Sequence, residues 1–290
     1  MAMSQTGATS THDGIPSVLA GQPSPQAGEL WALVWDGEVL GHVVVASAKK
    51  GYVLAWPASP DPDDSFRPGV LLKGPTGKSL TAWPTRETGI GNHLLAGRLD
   101  ILLPASMVHR IAAQLDDDEE PDVTWAHRWG TLSEDEHFAE RWSALCHHTG
   151  RGADGHYLDE GKAKSAGLSS RWIAQRLDLD PEDARAIWLG EETLTSEQAD
   201  RVASGFAGDI ADILGPDPAL DMWSLLAEPL FKREVWECAQ RAGLSETVMR
   251  LRASRDAYAL AARDDSMTRN SQKLLDALHR IASSAENLHD

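Results

Sequence analysis

From Gly28 to Pro84 the chain alternates short runs of Val, Leu and Trp with tight-turn residues, and nothing after Pro121 repeats that pattern. This break constrains the fold more than any single motif. Short strands at regular spacing pair into an antiparallel sheet, and the remainder must build its own helical core. The first run, Glu29 to Ala46, is interrupted by Asp36-Gly37, a dipeptide suited to the positive φ angles of a hairpin turn. Further strands are predicted at Gly51 to Pro57, Gly69 to Lys73 and Ser79 to Pro84, separated by the acidic, proline-rich loop Ala58 to Pro68 and the Gly74 to Gly77 turn. Strands this short close most readily into a small barrel or sandwich, which hides their edges. Met107, Val108, Ile111, Ala112 and Leu115 recur at helical spacing behind Pro104, predicting a helix that caps the barrel.

Asp116 to Asp122 is an acidic run closed by Pro121 and reads as a solvated linker. Helices are predicted beyond it, their starts marked by Ser133, Asp180, Thr195 and Ser245 with acids in or near the first turn, as capping and the helix dipole favour. The expected organisation is a disordered leader over 1–27, a β-barrel domain over 28–116, a linker over 117–132 and an all-helical domain over 133–290. The fold class is α+β.

Composition narrows the function. Net charge is −17, which opposes broad nonspecific binding to phosphate backbones. Lys232 to Arg280 is the exception, with ten basic against seven acidic residues. No apolar run approaches the ~18 to 20 residues of a membrane helix, so no membrane partner is expected and the cytoplasm is the expected location. Cys146 and Cys238 fit no metal or redox spacing, and Cys146-His147-His148 lacks a second ligand pair. No metal or cofactor is expected. Gly74 to Ser79 has Leu72 where a phosphate loop needs its first glycine, and it joins strands rather than opening a helix. Trp31, Trp35, Trp56 and Trp83 sit on predicted strands and read as core.

Two segments, 169–206 and 232–263, carry helix-turn-helix patterning. In the first, Ala174 takes the close-contact position and Asp178 the turn position; Pro181 to Trp188 follows as the second helix. Read on to Phe206, this stretch resembles the helical DNA-binding domain of Xre, Cro and antidote-type antitoxin regulators. That resemblance implies a five-helix fold placing its second motif helix in the major groove. Ser170, Arg171 and Arg185 are then candidate DNA contacts, although Glu182 and Asp183 at the groove mouth repel phosphate, and packing or dimerisation is the rival use of the fold. In the second segment Ala239 and Gly243 occupy the expected offset. Ser245, Thr247, Arg250, Arg252 and Arg255 follow on a helix, and hydroxyls and arginines suit base edges and phosphates. Asp256, Asp264 and Asp265 are alternative ion-pair partners for those arginines.

The N-terminal half, with Gly28-Glu29-Leu30-Trp31, the hairpin through Gly41 to Val45, Leu80 to Gly91 and a closing helix, resembles the SH3-like barrel of PemK/MazF growth-inhibiting toxins. That family cuts RNA with an arginine after the second strand and a later hydroxyl, stabilising a phosphorane by charge and proton transfer. This chain has Ala48-Lys49-Lys50 at the first position, so Lys49, Lys50, Thr85 and Arg86 are the candidate catalytic residues. Three functions are therefore expected: a DNA-binding regulator or antitoxin-like component of a toxin-antitoxin or phage-related system; a metal-independent endoribonuclease; and a non-enzymatic adaptor binding a protein partner or a second copy of itself.

Overall fold

A computed structural model describes residues 24–61, 65–74, 77, 79–151, 156–190, 192–263 and 270–286. Most of the expected leader, and Asp264 and Asp265, lie outside them. The chain divides into two units, 1–150 with 227–237, and 151–226 with 238–290.

The first unit is organised by β1 (Glu29–Trp35), every residue of which is buried. Successive side chains of a strand point to opposite faces. Trp31, Leu33 and Trp35 therefore load one face and Leu30, Ala32 and Val34 the other, and such a strand needs cover on both sides. It pairs antiparallel with β2 (Glu38–Ala48) on one edge. Between them Asp36 (φ 48°) and Gly37 (φ 82°) make the anticipated hairpin turn. β3 (Tyr52–Ser59), β4 (Val70–Lys73), β5 (Ser79–Ala82), β6 (Thr88–Gly91) and β7 (Leu95–Ile101) complete a seven-stranded sheet in the order β4-β5-β3-β2-β1-β7, with β6 also on β3.

The expected closed SH3-like barrel does not form. No pairing among the described residues joins the outer strands, so the antiparallel sheet is open. Helix α1 (Ala105–Asp116) buries Val108 and Ile111 with Leu30, Val44 and Trp56 on one face. Helix α2 (Leu132–Cys146) buries Trp142 and Leu145 with Trp31, Leu33 and Val45 on the other. A sheet covered on both faces gains nothing by curling up to hide one of them.

The 117–132 segment is not a free linker. Its second half lies along the outer edge of β4: Leu71 N donates to Thr124 O (2.7 Å), Ala126 N to Gly69 O (2.8 Å) and Arg67 N to Arg128 O (2.8 Å). These bonds cover main-chain groups that an open edge leaves unpaired. Helix α2, expected in the helical domain, belongs to the sheet unit. So does Ala227–Glu237, whose Lys232 is fully buried. Its Nζ donates to Val34 O (2.6 Å) and His93 O (3.0 Å) and lies 4.7 Å from the Trp35 ring centroid.

The second unit holds a two-stranded pair, β8 (Tyr157–Leu158) and β9 (Leu214–Gly215). Its helices α3 (Glu160–Ser165), α4 (Ser170–Leu177), α5 (Pro181–Trp188) and α6 (Ser196–Gly205) close over Ile173, Leu177, Ala184, Ile187 and Val202. Asp178 ends α4 in the left-handed conformation (φ 57°), and Asp180 caps α5 through Glu182 N (2.9 Å) and Asp183 N (3.0 Å). After α7 (Leu220–Leu226), the unit boundary passes through α8 (Lys232–Ala242). Helix α9 (Glu246–Arg263) then packs against α7 and α10 (Asn270–Glu286). No helix among the described residues is long and apolar enough to cross a membrane.

Candidate partner-binding pocket

Four aromatic side chains meet where α2 crosses the sheet unit. Trp83 follows β5, Phe66 precedes β4, and Phe138 and Trp142 are four residues apart on α2, hence on one helical face. Ring centroids lie 4.8 Å (Trp83–Phe138), 5.3 Å (Phe66–Trp83), 5.8 Å (Phe66–Phe138) and 6.1 Å (Phe138–Trp142) apart, all tilted or edge-to-face. Such offsets are favoured because the positive ring edge meets the negative face. Trp83 Nε1 donates to Phe66 O (3.1 Å), which satisfies the buried indole. The rings line a cavity of about 280 Å³ together with Ala58, Ser59, Thr131, Ser133, Glu134, His137 and Arg141.

The polar wall is set by the start of α2. Thr131 Oγ1 accepts from Glu134 N (3.3 Å) and Glu134 Oε2 accepts from Thr131 N (2.7 Å), a reciprocal capping box. Arg128 adds two contacts to the same carboxylate (2.8 and 3.0 Å). The Arg128 hydrogen bond, with the Thr131 bonds second, holds the Glu134 carboxyl down at about 2, so it stays an anion already matched by a cation. His137 Nδ1 lies 2.7 Å from Ser133 O.

Arg141 Nη2 donates to Leu40 O (2.7 Å), and no carboxylate pairs with the guanidinium among the described residues. Gly41 makes this approach possible. A Cβ there would lie 3.3 Å from the guanidinium and 3.4 Å from the Trp142 ring. Burial, and then the Arg141 charge, hold the His42 imidazole below its ordinary 6.5. Two large apolar side chains flank the cavity wall in sequence: Trp129 is 72% exposed and Leu132 77%.

The candidate catalytic residues are not assembled. Lys49 and Lys50 are exposed in the β2–β3 turn before Tyr52. Trp83, which leads into Thr85 and Arg86, bonds to Pro57, five residues further along β3 and roughly 16 Å away at about 3.3 Å per residue. Arg86 is tied to Asp135 (2.7 Å) and lies over the Phe138 ring (5.1 Å), joining the segment after β5 to α2. Thr85 is exposed.

The candidate DNA contacts divide. Arg250, expected to project outward, is fully buried. It binds Glu246 Oε1 through Nε (3.1 Å) and Nη2 (2.7 Å), and its Nη1 donates to Leu226 O at the end of α7. The physical reason is the set of carbonyls that a helix C-terminus leaves without partners. Arg250 satisfies one of them, and Glu246 neutralises the buried charge. Arg255 also turns inward, with Nη2 donating to Tyr157 Oη (3.1 Å) and Nη1 3.7 Å from Glu192. Asp256, one of the foreseen partners, lies instead 3.5 Å from Arg280. Arg252 and Ser245 are exposed, Ser245 Oγ accepting from Val248 N (3.3 Å), and Thr247 is half-buried. On the first motif Arg171 and Arg185 are exposed and Ser170 is half-buried.

Phe138, Arg141, Trp129 and Leu132 were missed by the sequence reading. Their signal was the Phe138–Trp142 spacing together with Trp83, obscured by assigning α2 to the other unit. Comparison with protein-family models, curated proteins and solved structures returns no match.

Proposed function

We propose that the chain is a non-enzymatic adaptor that docks a partner protein on its sheet unit, at the aromatic pocket beside α2. The observation that carries this reading is the pocket with its exposed neighbours. Binding energy at protein interfaces concentrates where aromatic and arginine anchors fill pockets, and Trp129, with the Arg67 guanidinium 5.5 Å from its ring, and Leu132 leave apolar surface exposed beside this one in the chain. The inward-turned Arg250 and Arg255 support it by removing two of the phosphate contacts on which the second motif depends. The test is quantitative co-purification of the tagged full-length chain from its host beside a Trp129→Ser/Leu132→Ser variant. A specific partner retained by the native chain and lost from the variant is expected. Identical partner sets refute the reading.

A second reading, a DNA-binding regulator or antitoxin-like component, is favoured by one observation: Asp178 adopts the left-handed turn between α4 and α5, on which Arg171 and Arg185 are exposed. Under that reading a genomic fragment shifts in a gel with strong salt dependence, and Arg171→Ala or Arg185→Ala weakens the shift and lowers the salt slope. A flat titration across fragments rejects it.

A further inference from the structure

We infer that the pocket beside α2 receives one aromatic side chain which the partner presents next to a carboxylate; this rests on the adaptor reading. Size speaks first. At about 280 Å³ the cavity falls just below the roughly 300–1,000 Å³ of sites that enclose a whole small molecule, and it suits a single ring system. The lining speaks next. Phe66, Trp83, Phe138 and Trp142 line it tilted or edge-on to one another, with guanidinium groups near the rings of Phe138 (Arg86, 5.1 Å), Phe66 (Arg128, 5.9 Å) and Trp142 (Arg141, 5.9 Å); an entering ring would add to this offset cluster, the arrangement in which aromatic pairs gain beyond area burial.

An aromatic cage is also the usual receptor for a cation, and here charge decides between the two guests. Glu134, the one carboxylate on the wall, is committed to Arg128 and the Thr131 amide. Arg141 is held in place by Leu40 O and has no carboxylate among the described residues. A lysine-like guest would meet an uncompensated guanidinium. A carboxylate would find the guanidinium donors that the bond to Leu40 O does not use. The chain as a whole is anionic (−17), so a locally cationic pocket mouth selects against its general charge and picks out an acidic neighbour to the anchoring ring. Trp129 and Leu132 stand in the chain on either side of the lining residue Thr131 and offer apolar surface to a continuing main chain, which favours a peptide over a free aromatic acid.

The test is calorimetric titration of the full-length chain with capped heptapeptides: a central tryptophan between two glutamates, the same with glutamines, the same with lysines, and the glutamate peptide with alanine in place of tryptophan. Free indole-3-acetate is titrated beside them. The glutamate peptide is expected to bind at least about tenfold tighter than the glutamine peptide, with no heat from the lysine or alanine versions. Arg141→Gln, on an exposed residue whose guanidinium sits 5.9 Å from the Trp142 ring centroid, should lower glutamate-peptide affinity to the glutamine level while leaving the glutamine peptide, which reports on the ring cluster, unchanged. Equal binding of the lysine peptide, an Arg141→Gln variant that binds as the native chain does, indole-3-acetate as tight as the peptide, or no binding of any peptide overturns the inference. If the peptides fail while Trp129→Ser/Leu132→Ser still strips a partner, this inference falls and the adaptor reading stands.

Discussion

Replacing Arg250 by methionine is expected to destabilise the helical unit by about 3–5 kcal/mol, the range for removing one partner of a buried ion pair. The structure supplies the reasons. Arg250 and Glu246 have side chains 0% and 1% exposed, so the Glu246 carboxylate would lose its Arg250 counter-charge with no solvent to replace it. Leu226 O would in addition lose its donor, a loss of about 1–3 kcal/mol for a buried polar group left unmade. The double variant Glu246→Leu/Arg250→Met removes the stranded charge and keeps only the orphaned carbonyl, so it should recover most of the deficit and be more stable than the single change. A two-unit chain gives no single unfolding free energy. Native-state hydrogen exchange of the α7 and α9 amides, read alongside urea unfolding, reports this unit directly. Protection unchanged in Arg250→Met, together with weakened DNA binding, would refute the reasoning and restore Arg250 to the surface.

Three further outcomes are expected. Glu134 has its carboxyl lowered from an ordinary 4.5 to about 2, so the stability it lends the start of α2 is fully present above 4.5 and is lost as pH falls through about 2; amide exchange at the first turn of α2 should follow that window, and Glu134→Gln should abolish the dependence. His42 is lowered chiefly by burial, so its contribution is present above 6.5 and is lost as pH falls through its folded value; Arg141→Gln should raise the ring titration seen by NMR part of the way to 6.5, and a complete return would show that burial is not the larger cause. Gly37→Ala forces a side chain into φ 82° with its Cβ 3.0 Å from Trp236 Nε1, so a loss of at least about 1–2 kcal/mol is expected in urea unfolding of the sheet unit, and a neutral change would contradict the turn geometry.

Local signals were the most legible in the sequence. Asp36-Gly37 announced the hairpin, Thr195 and Asp180 the helix starts, and Asp178 the turn position that the structure fills with a left-handed residue. The closed barrel failed for a reason present in the first strand. Leu30-Trp31-Ala32-Leu33-Val34-Trp35 is apolar at both parities, and a strand with one hydrated face would alternate. Reading that run as two-sided would have called for a helix on each face and drawn α2 into the sheet unit, with Phe138 and Trp142 beside Trp83. The acidic linker misled differently. Charge marks solvent contact, but main-chain pairing does not depend on side-chain charge, and the 124–128 segment covers an edge through its backbone alone.

The arginine error reaches further, because it treated positive charge as surface. Two cations of this acidic chain, Lys232 and Arg250, are wholly buried, and both donate to main-chain carbonyls. A long aliphatic stem crosses an apolar interior at little cost, and its head then finds donor-poor oxygen at a helix end or strand edge. The sequence sign of this use is a carboxylate one turn before the cation, Glu246 before Arg250, which marks an arginine matched within its own helix. Arg141 lacks it: the acids nearest on its helix, Glu136 and Glu140, stand five and one positions before it, where side chains on a helix do not meet. An arginine with no match on its own helix, set at the mouth of a ring-lined cavity, is the one on which the proposed docking of an acidic partner rests.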